Sequence, residues 1–339
     1  MGHLTHLRPC TGLVESESKR KPRISAGRAC HRTMRPLLML NLRQAFTLTV
    51  FVSFLMPLCF VIYRHHNGRV DFQHQAPIFT GAVNGSIRHY KSLLGDDQPV
   101  TLRCSSCALV SSSGYLLDKG AGQAIEGHPC VIRMNSAPVK GYEKDVGNRT
   151  TLRVMNFMDG VRADRLPPEG SHVLVWGLFR RERYLTEVKE TVKRLRPGIS
   201  IHAQTYEGEK EAEDLFNSET RTSLRTTKSW LSTGWFAMMV AIDICTEVHV
   251  YGMVSSNYCA SKPEKDCPYY YYRTPHVKEC STYNGAERNK GGGHRFITEK
   301  AIFERWASRY NIEFHYPSWT INKDKSGHQL DSPFVRFLA

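Results

Sequence analysis

Between Ala45 and Tyr63 the chain runs for 19 residues without a charge (AFTLTVFVSFLMPLCFVIY), bracketed by Arg43 and Arg64. No other feature restricts the architecture as tightly, because a helix this uniformly apolar needs apolar surroundings on every side. At 1.5 Å rise per residue it reaches roughly 28 Å, the hydrocarbon thickness of a thin bilayer. Pro57 is tolerated inside such a span. The polar flanks offer no covering for a buried core helix. The 44 residues ahead of the run, and the lack of an A-x-A pattern after it, argue against a cleaved signal peptide. The expectation is one transmembrane signal-anchor over 45–63.

Charge sets its orientation. The chain carries +14 in total, and residues 1–44 hold half of it: nine Lys/Arg, from Arg8 to Arg43, oppose Glu15 and Glu17. Basic flanks stay in the cytosol. The expected order is a basic cytosolic tail (1–44), the span (45–63), a polar stem (64–98), a lumenal globular domain (99–320) and a C-terminal tail (321–339). Met34 begins a shorter tail that would serve equally. The charge beyond residue 44 is too dilute for a dedicated nucleic-acid binder, and 41% hydrophobic with 23% charged residues suits a globular body.

Seven cysteines follow the span: Cys104, Cys107, Cys130, Cys245, Cys259, Cys267 and Cys280. An oxidising lumen would pair most of them, and an odd number leaves at least one free or bonded between chains. Cys104-Ser105-Ser106-Cys107 is half a zinc motif, but no second half follows, which favours disulfides. Asn84 and Asn148 head N-glycosylation sequons.

From Pro99 onward, short apolar runs read as buried strands at Cys107–Val110, Cys130–Met134, Leu152–Met155, His172–Phe179, Ile199–Ala203 and Glu247–Tyr251. Helical periodicity marks Glu182–Arg196, with Leu185, Val188, Val192 and Leu195 on one face. Trp235–Cys245 is a nearly all-apolar helix, and His294–Tyr310 spaces Ile302, Trp306 and Tyr310 four apart. This alternation implies an α/β fold: a mostly parallel sheet with helices on both faces, binding ligands at the carboxyl ends of its strands.

Two turns could hold an anion: Ser111-Ser112-Ser113-Gly114 and Ser232-Thr233-Gly234. Small hydroxyl residues with glycine allow close backbone approach, and a following helix start supplies free N–H groups. Either turn alone is as well explained by N-capping. No D-x-D, Walker A or G-x-S-x-G motif is present, so metal-nucleotide, ATPase and serine-hydrolase chemistry lack support. His294 follows Gly291-Gly292-Gly293 and heads a helix, which would leave its imidazole free to act as a base, with Glu299 nearby. A surface helix-start histidine explains it as well when taken alone.

The pieces together resemble a known family. CALVSSSG, CVIRMNSAP and GYEKDVGNRTTLRV, within Pro99–Val154, look like the long sialylmotif of animal sialyltransferases. Leu231–Met253 resembles the short motif, Pro268–Tyr272 the third, and His294–Glu299 the very short H-x-x-x-x-E motif. All four stand in family order over about residues 99–320. The wording is most similar to the α2,6-sialyltransferases acting on N-acetylgalactosamine, in the group preferring α2,3-sialylated Gal-GalNAc of O-glycans or gangliosides.

The resemblance implies a Rossmann-like, metal-independent GT-A-like variant in the Golgi membrane. CMP-sialic acid would be the donor and an O-glycan or glycolipid the acceptor. There would be no metal and no other cofactor, and oligomerisation is left open. Asn135 matches a nucleotide-contacting residue; Ser112 and Ser113 stand in the long-motif turn, where other members often carry a second Asn at the Ser112 position. Ser232, Thr233 and Gly234 match the turn contacting cytidine and sugar. His294 matches the catalytic base and Glu299 a supporting acid. Cys107 and Cys245 match the bridge joining the long and short motifs, and Cys259 and Cys280 a second, with Cys267 as competing partner. The third motif departs: Tyr270 replaces a His and Arg273 an acid, although the Tyr270 phenol can still donate to a departing phosphate. Lys278 also replaces an acid ahead of Glu279-Cys280. A non-catalytic sialoglycan-binding protein, or an enzyme of α2,3 or α2,8 linkage, are the competing readings.

Overall fold

A computed structural model describes residues 87–95, 100–160, 167, 170–178, 181–195, 198–261, 266–273, 275–322 and 330–338. The apolar run 45–63 and Asn84 lie outside these residues. Among the described residues, no helix is long and apolar enough to cross a membrane.

Eight strands form one sheet: β1 (Tyr90–Ser92), β2 (Cys104–Val110), β3 (Cys130–Met134), β4 (Leu152–Asn156), β5 (His172–Trp176), β6 (Ser200–Gln204), β7 (Cys245–Tyr251) and β8 (Ile312–His315). Their order is β1-β6-β5-β4-β3-β2-β7-β8, and every pair is parallel except β1 with β6. The six strands expected from sequence are all present, Cys130–Met134 with the expected ends and the other five with shifted ones. β2 starts at Cys104, three residues early, because Ser105 and Ser106 interrupt the apolar pattern without interrupting the ladder. β5 stops at Trp176, where Gly177 takes φ +80°.

Two strands carry no apolar run long enough to read. β8 is four residues with alternating burial, Ile312 and Phe314 inward. β1 falls within the segment expected to be stem. Tyr90 is buried and pairs with Gln204, and Ile87 is also buried, so the folded body starts before residue 99.

Alternate residues of the central strands feed different layers. Leu109 and Ile132 pack with Trp235 and Phe303, whereas Ala108, Val110 and Val131 pack with Leu116 and Ile125. Helices therefore cover both faces. The helix Thr233–Ile244 is buried on nearly every side; Trp235 lies at its heart, 4.9 Å from Trp306 and 5.5 Å from Phe216 between ring centres. Helix Glu182–Leu195 buries Val188 and Val192 as its periodicity requires. Helix Phe296–Ala307 buries Ile302 and Trp306, and Tyr310 packs against the same core from beyond its end.

Besides the short helices Gly122–Glu126, Glu143–Val146 and Phe157–Gly160, three more carry no periodicity that marks them: Tyr206–Thr220, Glu279–Glu287 and Pro333–Leu338. The first is acid-rich, yet buries Ala212, Leu215 and Phe216, and its Glu219 accepts from Arg305 (2.6 Å) and the Trp306 indole (3.0 Å). The last lies in the segment expected to be a tail and buries Phe334 and Val335.

Candidate active site

The carboxyl ends of β2, β3, β4, β5 and β7 open into one cleft of about 680 Å³. It forms where strand order reverses, β3 to β6 lying on one side of β2 and β7 and β8 on the other. Ser112, Ser113, Asn135, Ser232, Thr233, Gly234, Tyr270 and His294 all line it. Glu299 does not.

The wall nearest the sheet is built on one helix start. Ser232 is the N-cap of helix Thr233–Ile244, its hydroxyl accepting from Trp235 N at 3.2 Å. The first-turn residues Thr233 and Gly234 face the cleft, with the amides a helix start leaves unpaired. Opposite them, Asn135 follows β3 with φ +48°. Arg153 holds that turn, donating to the carbonyls of Asn135 (2.6 Å) and Ala137 (3.0 Å). Asn135 Oδ1 accepts from Asn156 N and Nδ2, both 3.0 Å, and from Thr233 Oγ1 at 3.2 Å. Thr233 accepts in turn from the Trp176 indole at 3.1 Å. The oxygen of Asn135 is thus committed to the frame, and its amide N–H groups remain the side available to a ligand.

The floor is more highly charged than the sequence suggests. Glu279 is buried and accepts from Ser113, Tyr283 and, at 2.9 Å, Cys267. Burial pushes its carboxyl above the usual range. The Ser113 hydroxyl is therefore occupied by Glu279, and it also caps the short turn Gly114–Leu116 through Tyr115 N. Lys300 is 5% exposed, lines the cleft and sits 4.0 Å from the Tyr283 ring centre. Burial lowers its pKa against the pull of Glu279 and Glu299. Among the described residues, its ammonium has no hydrogen-bond or ion-pair partner.

The four consecutive tyrosines divide their work. Tyr271 is buried, its hydroxyl donating to Pro138 O at 2.6 Å and its amide to Ser112 O at 3.0 Å. Tyr270 and Tyr272 face the cleft, and the Arg273 guanidinium lies 4.7 Å from the Tyr270 ring centre. Where an acid was expected, this chain places a cation on an aromatic face.

His294 lies two residues ahead of helix Phe296–Ala307. Its Nδ1 is 3.1 Å from Trp230 O; a carbonyl only accepts, so Nδ1 carries the hydrogen and Nε2 the lone pair. Burial lowers the imidazole pKa, which keeps the ring neutral at neutral pH. The ring is not free, as its place at a helix start suggested: the Trp230 indole donates to Nε2 at 3.3 Å. Glu299 is not among its hydrogen-bond partners. The Glu299 carboxylate accepts from Ser232 N at 2.9 Å and from the Ser232 hydroxyl. The two ends of the H-x-x-x-x-E motif thus clamp the two ends of Trp230-Leu231-Ser232. Glu299 positions the helix start, and its pKa is raised by burial.

Cys107 is bonded to Cys245 and Cys259 to Cys280; Cys104 and Cys130 form a third bridge. Cys104 and Cys107 are both consumed, leaving no zinc half-site. Cys267 is the unpaired cysteine among the described residues, its thiol pushed up to about 12 by burial and by Glu279. Asn148 is exposed, its backbone amide donating to Glu126 at 2.6 Å. Sequence reasoning passed over Lys300, Arg153 and Trp230. Lys300 and Trp230 line the cleft and Arg153 braces the Asn135 turn behind it; each is a common residue type, and no local spacing marks any of them.

The profile of glycosyltransferase family 29 (sialyltransferase) matches residues 62–166 and 210–309. The chain belongs to this family. Human α-N-acetylgalactosaminide α-2,6-sialyltransferase 6 is 40% identical over 243 residues, which are 68% of this chain and 73% of that one. The human α-N-acetyl-neuraminyl-2,3-β-galactosyl-1,3-N-acetyl-galactosaminide α-2,6-sialyltransferase is 39% identical over 245 residues, 67% of this chain and 80% of its own. A mammalian sialyltransferase crystal structure aligns with 66% of this chain and 71% of its own, at 22% identity and a TM-score of 0.41. The cleft is accordingly the candidate active site of a family 29 sialyltransferase.

Proposed function

We propose that the chain transfers sialic acid from CMP-sialic acid, with inversion, to the 6-hydroxyl of N-acetylgalactosamine in α2,3-sialylated Gal-GalNAc of O-glycans or gangliosides. The observation that carries this reading is a neutral imidazole of fixed tautomer, His294, in a cleft with a helix start and Asn135. The names of the two human relatives support the linkage and the acceptor sugar.

The chemistry follows from these groups. Asn135 and the Ser232–Gly234 turn hold the CMP portion. The acceptor oxygen attacks the anomeric carbon from the face opposite phosphate and passes its proton to His294 Nε2, once the Trp230 indole has left that nitrogen. The bond from anomeric carbon to phosphate oxygen breaks, and CMP leaves with the electron pair. Its growing charge is stabilised by helix-start amides, the Tyr270 phenol and the Lys300 ammonium, with no divalent metal required. The apolar run 45–63 would anchor the enzyme as a single-span type II protein of the Golgi membrane with its cleft in the lumen.

His294→Ala is expected to lower kcat about 10²- to 10⁴-fold while CMP binding persists. In wild type, the acid limb of kcat/KM should fall below the ordinary histidine value, because burial lowers the His294 pKa. EDTA should leave turnover intact. Near-normal turnover of the alanine variant would remove His294 from the mechanism, and loss reversed by Mn²⁺ after EDTA would reject the metal-free scheme.

A further inference from the structure

A second cluster of chemically capable side chains lies away from the cleft, on β7 and β8. Val248, Val250, Ile312 and Phe314 pack into the helix-side core. The alternating residues Glu247, His249, Glu313 and His315 therefore share the opposite face near the sheet edge. His249 stands directly across from Glu313 in the parallel register, and Tyr251 across from His315. His249 Nδ1 is 3.0 Å from His315 Nε2, and Glu313 Oε2 is 3.7 Å from the first and 3.8 Å from the second.

We propose that His249, His315 and Glu313 form a binding site for a zinc-type divalent cation. Two imidazoles and one carboxylate are a donor set that borderline metals take, with a further position left to water. Bonds of roughly 2.0–2.1 Å in tetrahedral geometry need donor separations of about 3.3 Å, and the three separations bracket that value. Without a metal, one of the two facing nitrogens must carry a hydrogen for the pair to bond; a metal replaces that hydrogen, and the ring concerned takes its other neutral tautomer.

The surroundings resemble a built site rather than a chance meeting. The other nitrogen of His249, Nε2, faces the Glu247 carboxylate at 3.7 Å, a charge contact rather than a hydrogen bond. The His128 ring packs on His249 at 4.5 Å, and Tyr251 stacks on His315 at 4.9 Å. His128 is itself held by Ser106 and by the Tyr251 hydroxyl, both at 2.9 Å, so the ligand rings are braced from behind. The Glu313 side chain is 61% exposed, which leaves an entry path.

Zinc binding to the purified, EDTA-stripped full-length chain tests this by competition against a chromophoric chelator. Co²⁺ serves as a visible reporter of coordination. One equivalent is expected, with His315→Asn and Glu313→Gln each weakening binding at least about 100-fold and Glu247→Gln about 10-fold. Glu313→Gln alters an exposed side chain, so the test stands even if His315→Asn misfolds. No zinc uptake and no Co²⁺ spectrum would overturn the proposal. So would an affinity that Glu313→Gln and Glu247→Gln both leave unchanged, since the ion would then sit elsewhere. Transfer activity is not a readout, so this result is independent of the proposed reaction.

Discussion

A buried carboxyl group that must ionise weakens a folded chain as pH rises, and Glu299 is such a group. Its raised pKa means that the folded chain keeps a proton the unfolded chain has already lost. Its stabilising contribution is therefore full below the unfolded value and is lost as pH rises through the folded one. Glu299→Gln cannot ionise. Its urea midpoint should accordingly gain on that of wild type between about pH 5 and 8; a gap that stays constant with pH would contradict the assignment. Lys300 makes a complementary case. Lys300→Met keeps the aliphatic stem over Tyr283 and removes the cleft's buried cation, so kcat should fall about 10-fold and donor KM should rise, because the ammonium acts on charge that grows as CMP leaves. An unchanged donor KM would place Lys300 outside donor binding.

At the scale of elements, the decisive unit is helix Thr233–Ile244 running directly into β7. Its start forms one wall of the cleft, and Cys245 at its end is bonded to Cys107 of β2, across 138 residues of chain. The bridge ties the strand that feeds the Ser111–Ser113 turn to the helix that presents Ser232–Gly234. Cys107→Ala with Cys245→Ala should cost about 2–5 kcal/mol, seen as a lower Tm, and should weaken CMP binding in parallel. A Tm equal to that of wild type would show that packing around Trp235 alone holds the two halves.

For the whole molecule, the proposed orientation puts the +7 of residues 1–44 in the cytosol and the folded body in an oxidising lumen. The three disulfides suit that compartment. Expression in a secretory cell should yield protein whose gel mobility increases on N-glycosidase treatment, through Asn84, Asn148 or both. Protein unmodified at both sites would reverse the orientation argument.

What the residues determined unaided is what local order encodes. Periodicity within 5–15 positions marked six strands and three helices, and contiguous motifs nominated eight residues that one cleft then gathers. The apolar run 45–63 is likewise a property of consecutive residues. Tertiary structure decided the pairings. Ser113 meets Glu279 across 166 positions, Ser232 meets Glu299 across 67, and His249 meets His315 across 66. It made Glu299 a clamp on a helix start, and it turned Lys300 from an ordinary helix lysine into a cleft wall. The physical reason is that a side chain's partners are fixed by which strands and helices the sheet order brings together. That order comes from burying all the apolar faces at once, which no single stretch of chain can specify.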